Sequence, residues 1–200
     1  ISLDTLDPAR YAYITRGGAL SDALRGMEAA LEAGFARVKI NAVLIGGFND
    51  DEIPALAALT RTWGVDVRFI ELMPMLDKGF GPEAYRPAAA VTDALPALEA
   101  LPPDGGVARL YRLPGAAGRV GLISPVSAHF CALCNRLRLT ADGKLKPCLH
   151  SAEEFSIKGL DRDGMRAQFE RAVMAKPARH KALSATEHTD ARRGMSQIGG

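Results

Sequence analysis

VKINAVLIG at residues 38–46 and VDVRFIEL at residues 65–72 flank DEIPALAALTRT at residues 51–62. The outer two stretches are short, β-branched and largely apolar, as strands are. The middle one is long enough and apolar at helical spacing. Strand, helix, strand predicts a parallel βαβ unit, because parallel neighbours need a crossover that a helix supplies. Apolar runs of this kind read as strands covered on both faces, and in such folds groups at the carboxyl ends of strands line the active crevice.

Upstream, residues 19–33 place Leu20, Leu24, Met27 and Leu31 on one helical stripe, with Gly34 as the stop. Residues 1–4 read as a strand end, and Asp7-Pro8 starts a short helix. Downstream, the Gly- and Pro-containing segment 79–87 precedes a helix over 89–99, and PPDGG at 102–106 marks a boundary. The expected domains are therefore 1–101 and 102–200. In the second, 107–113 and 120–123 read as a hairpin across PGAAGR, followed by a cysteine loop and a helix over 163–174.

Composition narrows the function classes. With 200 residues, 48% of them apolar, the chain can bury a real core, and a formal charge of +2 supplies no overall basic field for nucleic acid. There is no run of eighteen apolar residues, and the chain shows no basic-then-apolar leader; both argue against a membrane span or secretion signal. An odd, clustered set of three cysteines argues against a disulfide scaffold and for the reducing cytoplasm. The first residue is Ile1, and ISLDTLDP reads like a cut edge, so we expect the later part of a longer protein.

Cys131, Cys134 and Cys148 lie in CALCNRLRLTADGKLKPC. The C-x-x-C spacing lets two thiolates meet one metal, and Cys148 can return through the turn at Asp142-Gly143. Two metal readings stay open. Zinc would take a fourth ligand from His150 or His129, whereas a cubane iron–sulfur cluster can use three cysteines and leave one iron open. Arg136 and Arg138, on one side of an extended segment, could grip phosphate or carboxylate with their guanidinium forks. Lys39, inside an apolar strand, needs a polar partner.

GLISPVSAHFCALCNRLRLTADGKLKPCLH at 121–150 strongly resembles the carboxyl-terminal cluster region of the radical S-adenosylmethionine GTP 3′,8-cyclase family of molybdenum cofactor biosynthesis. ISLDTLDP at 1–8, VKINAVLIGGFND at 38–50, FIELMPM at 69–75 and the terminal Gly199-Gly200 resemble that family in the same order. The resemblance implies an α/β fold: the later part of a TIM-like radical barrel with parallel βαβ units, then an iron–sulfur region. It implies an auxiliary [4Fe–4S] cluster on Cys131, Cys134 and Cys148 whose open iron meets guanine. It further implies GTP held by Lys39, Arg136, Leu137 and Arg138, S-adenosylmethionine contacted by Ser2 and Met73, and a catalytic role for Arg136, Arg138, Gly199 and Gly200.

The implied reaction is a carbon–carbon lyase's. A 5′-deoxyadenosyl radical from S-adenosylmethionine takes hydrogen from ribose C3′ of GTP, and the carbon radical attacks guanine C8 to give 3′,8-cyclo-7,8-dihydroguanosine triphosphate. The implied partners are an electron donor, a second copy in a homodimer, and cyclic pyranopterin monophosphate synthase downstream, with neither nucleic acid nor membrane. The family's radical-forming [4Fe–4S] cluster uses C-x-x-x-C-x-x-C, and this chain has no cysteine before Cys131. The expectation is an enzyme as the full-length parent and an inactive isolated chain. Competing readings are a peptide-modifying radical enzyme, which usually needs more auxiliary cysteines, and a nonenzymatic metal-binding fragment.

Overall fold

A computed structural model describes residues 1–75, 79–179, 183 and 189–198. They form two compact units, one of residues 1–72 and 83–128, the other of the described residues within 73–82 and 129–200.

The first unit is built on a five-stranded sheet of order β1-β2-β5-β4-β3. Its strands are β1 (Lys39–Leu44), β2 (Asp66–Glu71), β3 (Glu99–Ala100), β4 (Arg109–Arg112) and β5 (Val120–Ile123). β1, β2 and β5 run parallel, in register from Lys39 opposite Asp66 and from Val67 opposite Val120. The predicted βαβ unit is present, with helix α3 (Ile53–Thr62) as its crossover.

A TIM-like barrel is not. The hairpin between β4 and β5 reverses the chain, so the sheet turns antiparallel and ends at the two-residue strand β3. At the other edge, Ile1–Leu3 add main-chain hydrogen bonds to β1, the Leu3 amide to the Asn41 carbonyl and the Asn41 amide to that of Ile1. Among the described residues these two edges do not meet, and the sheet is open and mixed. Local alternation carries no signal for closure, which depends on strand count and stagger.

Helices cover one face. α1 (Pro8–Thr15) starts where the Asp7 carboxylate accepts the amides of Ala9 and Arg10, with Pro8 ready for the first turn. α2 (Leu20–Glu32) buries Leu20 and Met27, and α3 buries Ile53, Leu56, Ala57 and Leu59. With Ile40, Ala42, Leu44, Val67, Phe69, Val120 and Leu122 from the strands they make one core. Phe69 is 1% exposed; truncating such a ring costs about 3–5 kcal/mol.

The opposite face departs from expectation. Burial along β1 strictly alternates, so Lys39, Asn41 and Val43 are only half-covered. The sequence predicts strands covered on both faces; the second face instead mixes the polar Lys39, Asn41 and Arg68 with Val43 and Ile70, all only half-covered.

The motifs at the start of the chain and at 38–50 are stitched together by Asn49, which is 1% exposed. Its amide nitrogen donates to the carbonyls of Asp4 at 2.6 Å and Val43 at 2.8 Å, and its side-chain oxygen accepts the Ile45 amide. Asp4 accepts the Val43 amide, and burial pushes its carboxyl above the ordinary range despite that bond.

The second unit holds an antiparallel sheet of β6 (Arg138–Leu139), β7 (Lys144–Lys146) and β8 (Phe155–Ser156). Its first turn uses Gly143 at φ +79° and a Thr140 hydroxyl donating to Asp142, the return predicted for the cysteine loop. Helix α4 (Arg162–Met174) begins at Asp161, which accepts the Gly164 amide, and packs on β7 and β8. A small apolar cluster of Met75, Ala191 and Ile198, edged by Met73, Leu149 and Met195, lies in the same unit.

Candidate functional site

In the first unit, two of the predicted positions come together. Ser2 bridges to Asn41, and the Ile1 amino group donates to the Lys39 carbonyl, so Ser2 and Lys39 sit on adjacent strand segments. Lys39 shares its half-covered face with Asn41, and Arg68 lies in register opposite Asn41. Arg68 has Gly121 as its other neighbour; a Cβ there would come within 3.2 Å of the Arg68 side-chain stem. The Asn41 side-chain oxygen is buried with no hydrogen-bond partner. An unmet acceptor beside two cationic side chains is a polar face suited to a ligand with both donors and negative charge.

Sequence reasoning named Lys39 but passed over Asn41 and Arg68. Asn41 carried a signal, a polar residue two positions from Lys39 in VKINAVLIG; Arg68 joins it only through the strand register, which places it opposite Asn41.

At the carboxyl end of β2, Glu71 is 1% exposed and accepts the amides of Ala88, Val126 and Ser127 at 2.8–3.0 Å, with the Ser127 hydroxyl also donating. It pins the two loops that leave the carboxyl ends of β2 and β5. The Tyr85 phenol is raised above its ordinary value, first by burial and then by the Glu71 charge.

The second unit holds the cysteines. Cys131 opens a single 3₁₀ turn (Cys131–Leu133) closed by the Cys134 amide on the Cys131 carbonyl, and Cys148 follows β7; all three are half-buried. Between the two arms sits the ammonium of Lys176. It reaches the Cys134 sulfur at 3.6 Å and donates to the carbonyls of Arg136 at 2.9 Å and Pro147 at 3.1 Å.

This geometry overturns the metal expectation. The described residues bring together no group of three or more His, Cys, Asp or Glu side chains able to hold a metal ion. The sulfurs therefore do not fit the auxiliary [4Fe–4S] cluster that the spacing and the resemblance implied, nor a zinc site. C-x-x-C supplies thiols at short sequence distance, but their convergence depends on the fold, and here a lysine cation bridges the arms. His150, a candidate fourth zinc ligand, is buried with its Nδ1 3.1 Å from the Thr189 hydroxyl.

Arg136 and Arg138 are brought together. Arg136 is exposed and Arg138 half-buried in β6, with Leu137 half-buried between them. Burial, then repulsion from Arg136, lowers the Arg138 guanidinium below its ordinary value, while Cys134 and Cys148 pull the other way. Nearby, Cys148 lines a cavity of about 510 Å³ with His150, Glu153, Arg179, Asp190 and Arg192. Met73 sits partly buried in the apolar cluster of this unit. Gly199 and Gly200 lie outside the described residues.

Comparison with known proteins adds a separate line. Residues 65–182 match the family model described as Molybdenum Cofactor Synthesis C. Over its whole length the chain is 46% identical to GTP 3′,8-cyclase of Alkaliphilus metalliredigens, covering 64% of that protein. It is 47% identical to GTP 3′,8-cyclase of Pelotomaculum thermopropionicum and 46% identical to that of Moorella thermoacetica, again over 64% of each. The chain thus spans just under two thirds of the length of these relatives. No helix among the described residues is long and apolar enough to cross a membrane.

Proposed function

Since this chain belongs to the Molybdenum Cofactor Synthesis C family and matches the carboxyl-terminal part of GTP 3′,8-cyclases, we propose that it is the GTP-binding part of such an enzyme. The parent converts GTP to 3′,8-cyclo-7,8-dihydroguanosine triphosphate in molybdenum cofactor biosynthesis, by radical chemistry derived from S-adenosylmethionine. A homodimer, an electron donor and cyclic pyranopterin monophosphate synthase belong to the same reading.

One observation supports the nucleotide assignment: Arg136 and Arg138 stand two residues apart where β6 begins, the first exposed and the second half-buried. Holding two like charges together costs free energy that a polyanion offsets. A triphosphate between two guanidinium forks gains charge-assisted, bidentate hydrogen bonds. Leu137, half-buried between them, supplies apolar surface. On the first unit, Lys39 with Asn41 and Arg68 offers a polar face of its own for a ligand carrying donors and negative charge.

The chemistry these residues perform is binding and orientation. Fixing the triphosphate fixes the ribose and base attached to it, which lowers the entropy lost when the reacting carbons meet. Arginine remains charged across the working pH range even when its pKa is depressed, so this grip does not titrate near neutrality.

The test is GTP binding to the full-length protein by calorimetry. Arg138→Ala should weaken binding by about 10-fold or more, the loss expected of one charged hydrogen bond, and Arg136→Ala by less because it is exposed. A full-length protein that binds no GTP, or whose affinity ignores both substitutions, would refute the assignment.

A further inference from the structure

Residues 189–198 return to the β6–β7–β8 sheet at two points. The first is Arg193. Its Nε donates to one oxygen of Glu154 at 2.6 Å, and its Nη2 donates to the other at 2.8 Å and to Asp142 at 2.8 Å. Glu154 is held in turn by Lys144 at 3.3 Å and the fully buried Lys146 at 3.6 Å, so the anchor is fixed. The second point is Ile198, 1% exposed, whose carbonyl accepts from Arg138 Nη1 at 3.4 Å.

We propose that Arg193 is a positioning residue: by clamping this strap to Glu154 and Asp142 it sets the Ile198 carbonyl against Arg138 and so orients the Arg138 guanidinium. Arg138 shares its surroundings with the cation Arg136, which pushes it away. A carbonyl dipole held in a fixed place is one of the contacts that direct the guanidinium. The strap between the two attachments is a single 3₁₀ turn (Met195–Gln197), closed by the Ile198 amide on the Met195 carbonyl and capped by the Gly194 amide on the Gln197 side chain, so only a few residues separate Arg193 from the Ile198 carbonyl. Arg193 itself touches neither Arg138 nor Arg136 among the contacts described, which separates its role from theirs.

The inference deepens the nucleotide assignment above and rests on it for its functional consequence, but its structural half can be read without nucleotide. In the full-length protein, phenylglyoxal modification of Arg138, followed by peptide mass spectrometry, reports how well that guanidinium is held. Arg193→Met should speed modification by about fivefold, the factor for one net hydrogen bond, and raise hydrogen exchange across 189–198. Arg193→Lys, which keeps a cation but loses the fork, should restore part of the protection. In GTP turnover, Arg193→Met should raise KM more than it lowers kcat.

An Arg138 modification rate unchanged in Arg193→Met overturns the proposal, as does a Lys variant no better than Met. Should Arg193→Met fail to fold, Asp142→Asn removes one arm of the clamp and must move Arg138 reactivity in the same direction, or the proposal falls. A wild-type protein that binds no GTP would sink the nucleotide assignment alone, because the modification and exchange readouts would still decide whether the clamp exists.

Discussion

The Glu71 carboxylate takes both the main-chain amide and the hydroxyl of Ser127, fifty-six residues on, and thereby ties the carboxyl end of β2 to the loop after β5. The same carboxylate accepts the amides of Val126 and Ala88. Four donors on one buried acceptor make this the point through which the loops at the carboxyl end of the parallel strands share one geometry.

Glu71→Ala should accordingly destabilise the first unit by about 3–5 kcal/mol, since it leaves buried amides without an acceptor. Glu71→Gln keeps an oxygen and should cost less. Urea unfolding of both variants checks this; equal midpoints for wild type and Glu71→Ala would contradict it.

Asp66 and Arg119 form a second, differently placed pair, with the Arg119 Nη2 2.7 Å from Asp66 and the Arg119 amide donating to the same carboxylate. Burial pushes the Asp66 carboxyl up, but the combined hydrogen bonds and charge of Arg119 hold it below its ordinary value of 3.8. A depressed folded-state pKa means stabilisation that is complete above 3.8 and fades as pH falls through the lower folded value. Asp66→Asn should reduce stability at neutral pH and flatten its fall below about pH 4. Thermal midpoints measured from pH 2 to 7 would show it.

Gly118 lies against the chain leaving α3: its amide donates to the Thr60 carbonyl, and an added Cβ would stand 1.9 Å from the Val65 carbonyl oxygen. Because that neighbour is backbone, it cannot swing aside. Gly118→Ala should cost about 1–3 kcal/mol or more by overpacking, read as a lowered urea midpoint. A substitution at Gly26, where an added Cβ meets nothing within 4 Å, should be neutral or favourable in its helix.

Lys176 joins the two arms of the cysteine loop through the carbonyls of Arg136 and Pro147. Lys176→Met removes both bonds, so hydrogen exchange through 134–148 should quicken by about 5- to 30-fold, corresponding to 1–2 kcal/mol. Exchange in β1 and β2 should not change, and a uniform rise across both units would instead signal global destabilisation.

The βαβ order, the helices at 20–32 and 162–174 and the hairpin into β5 were legible because they follow from local periodicity and turn chemistry in VKINAVLIG, VDVRFIEL and PGAAGR. The pairing of Arg136 with Arg138 was legible too, from two-residue spacing. Family membership lay in the motifs and their order. What the sequence could not determine is where segments far apart in the chain meet. The sheet's open, mixed form depends on which edges find one another. The clamp of Arg193 on Glu154, the lysine between the cysteine arms and, among the described residues, the lack of a convergent metal-ligand group all depend on how distant segments are placed. Periodicity reports which face of an element is buried; only the folded chain decides which side chain it is buried against, and it is that choice which sets charge, hydrogen bonding and ligand geometry.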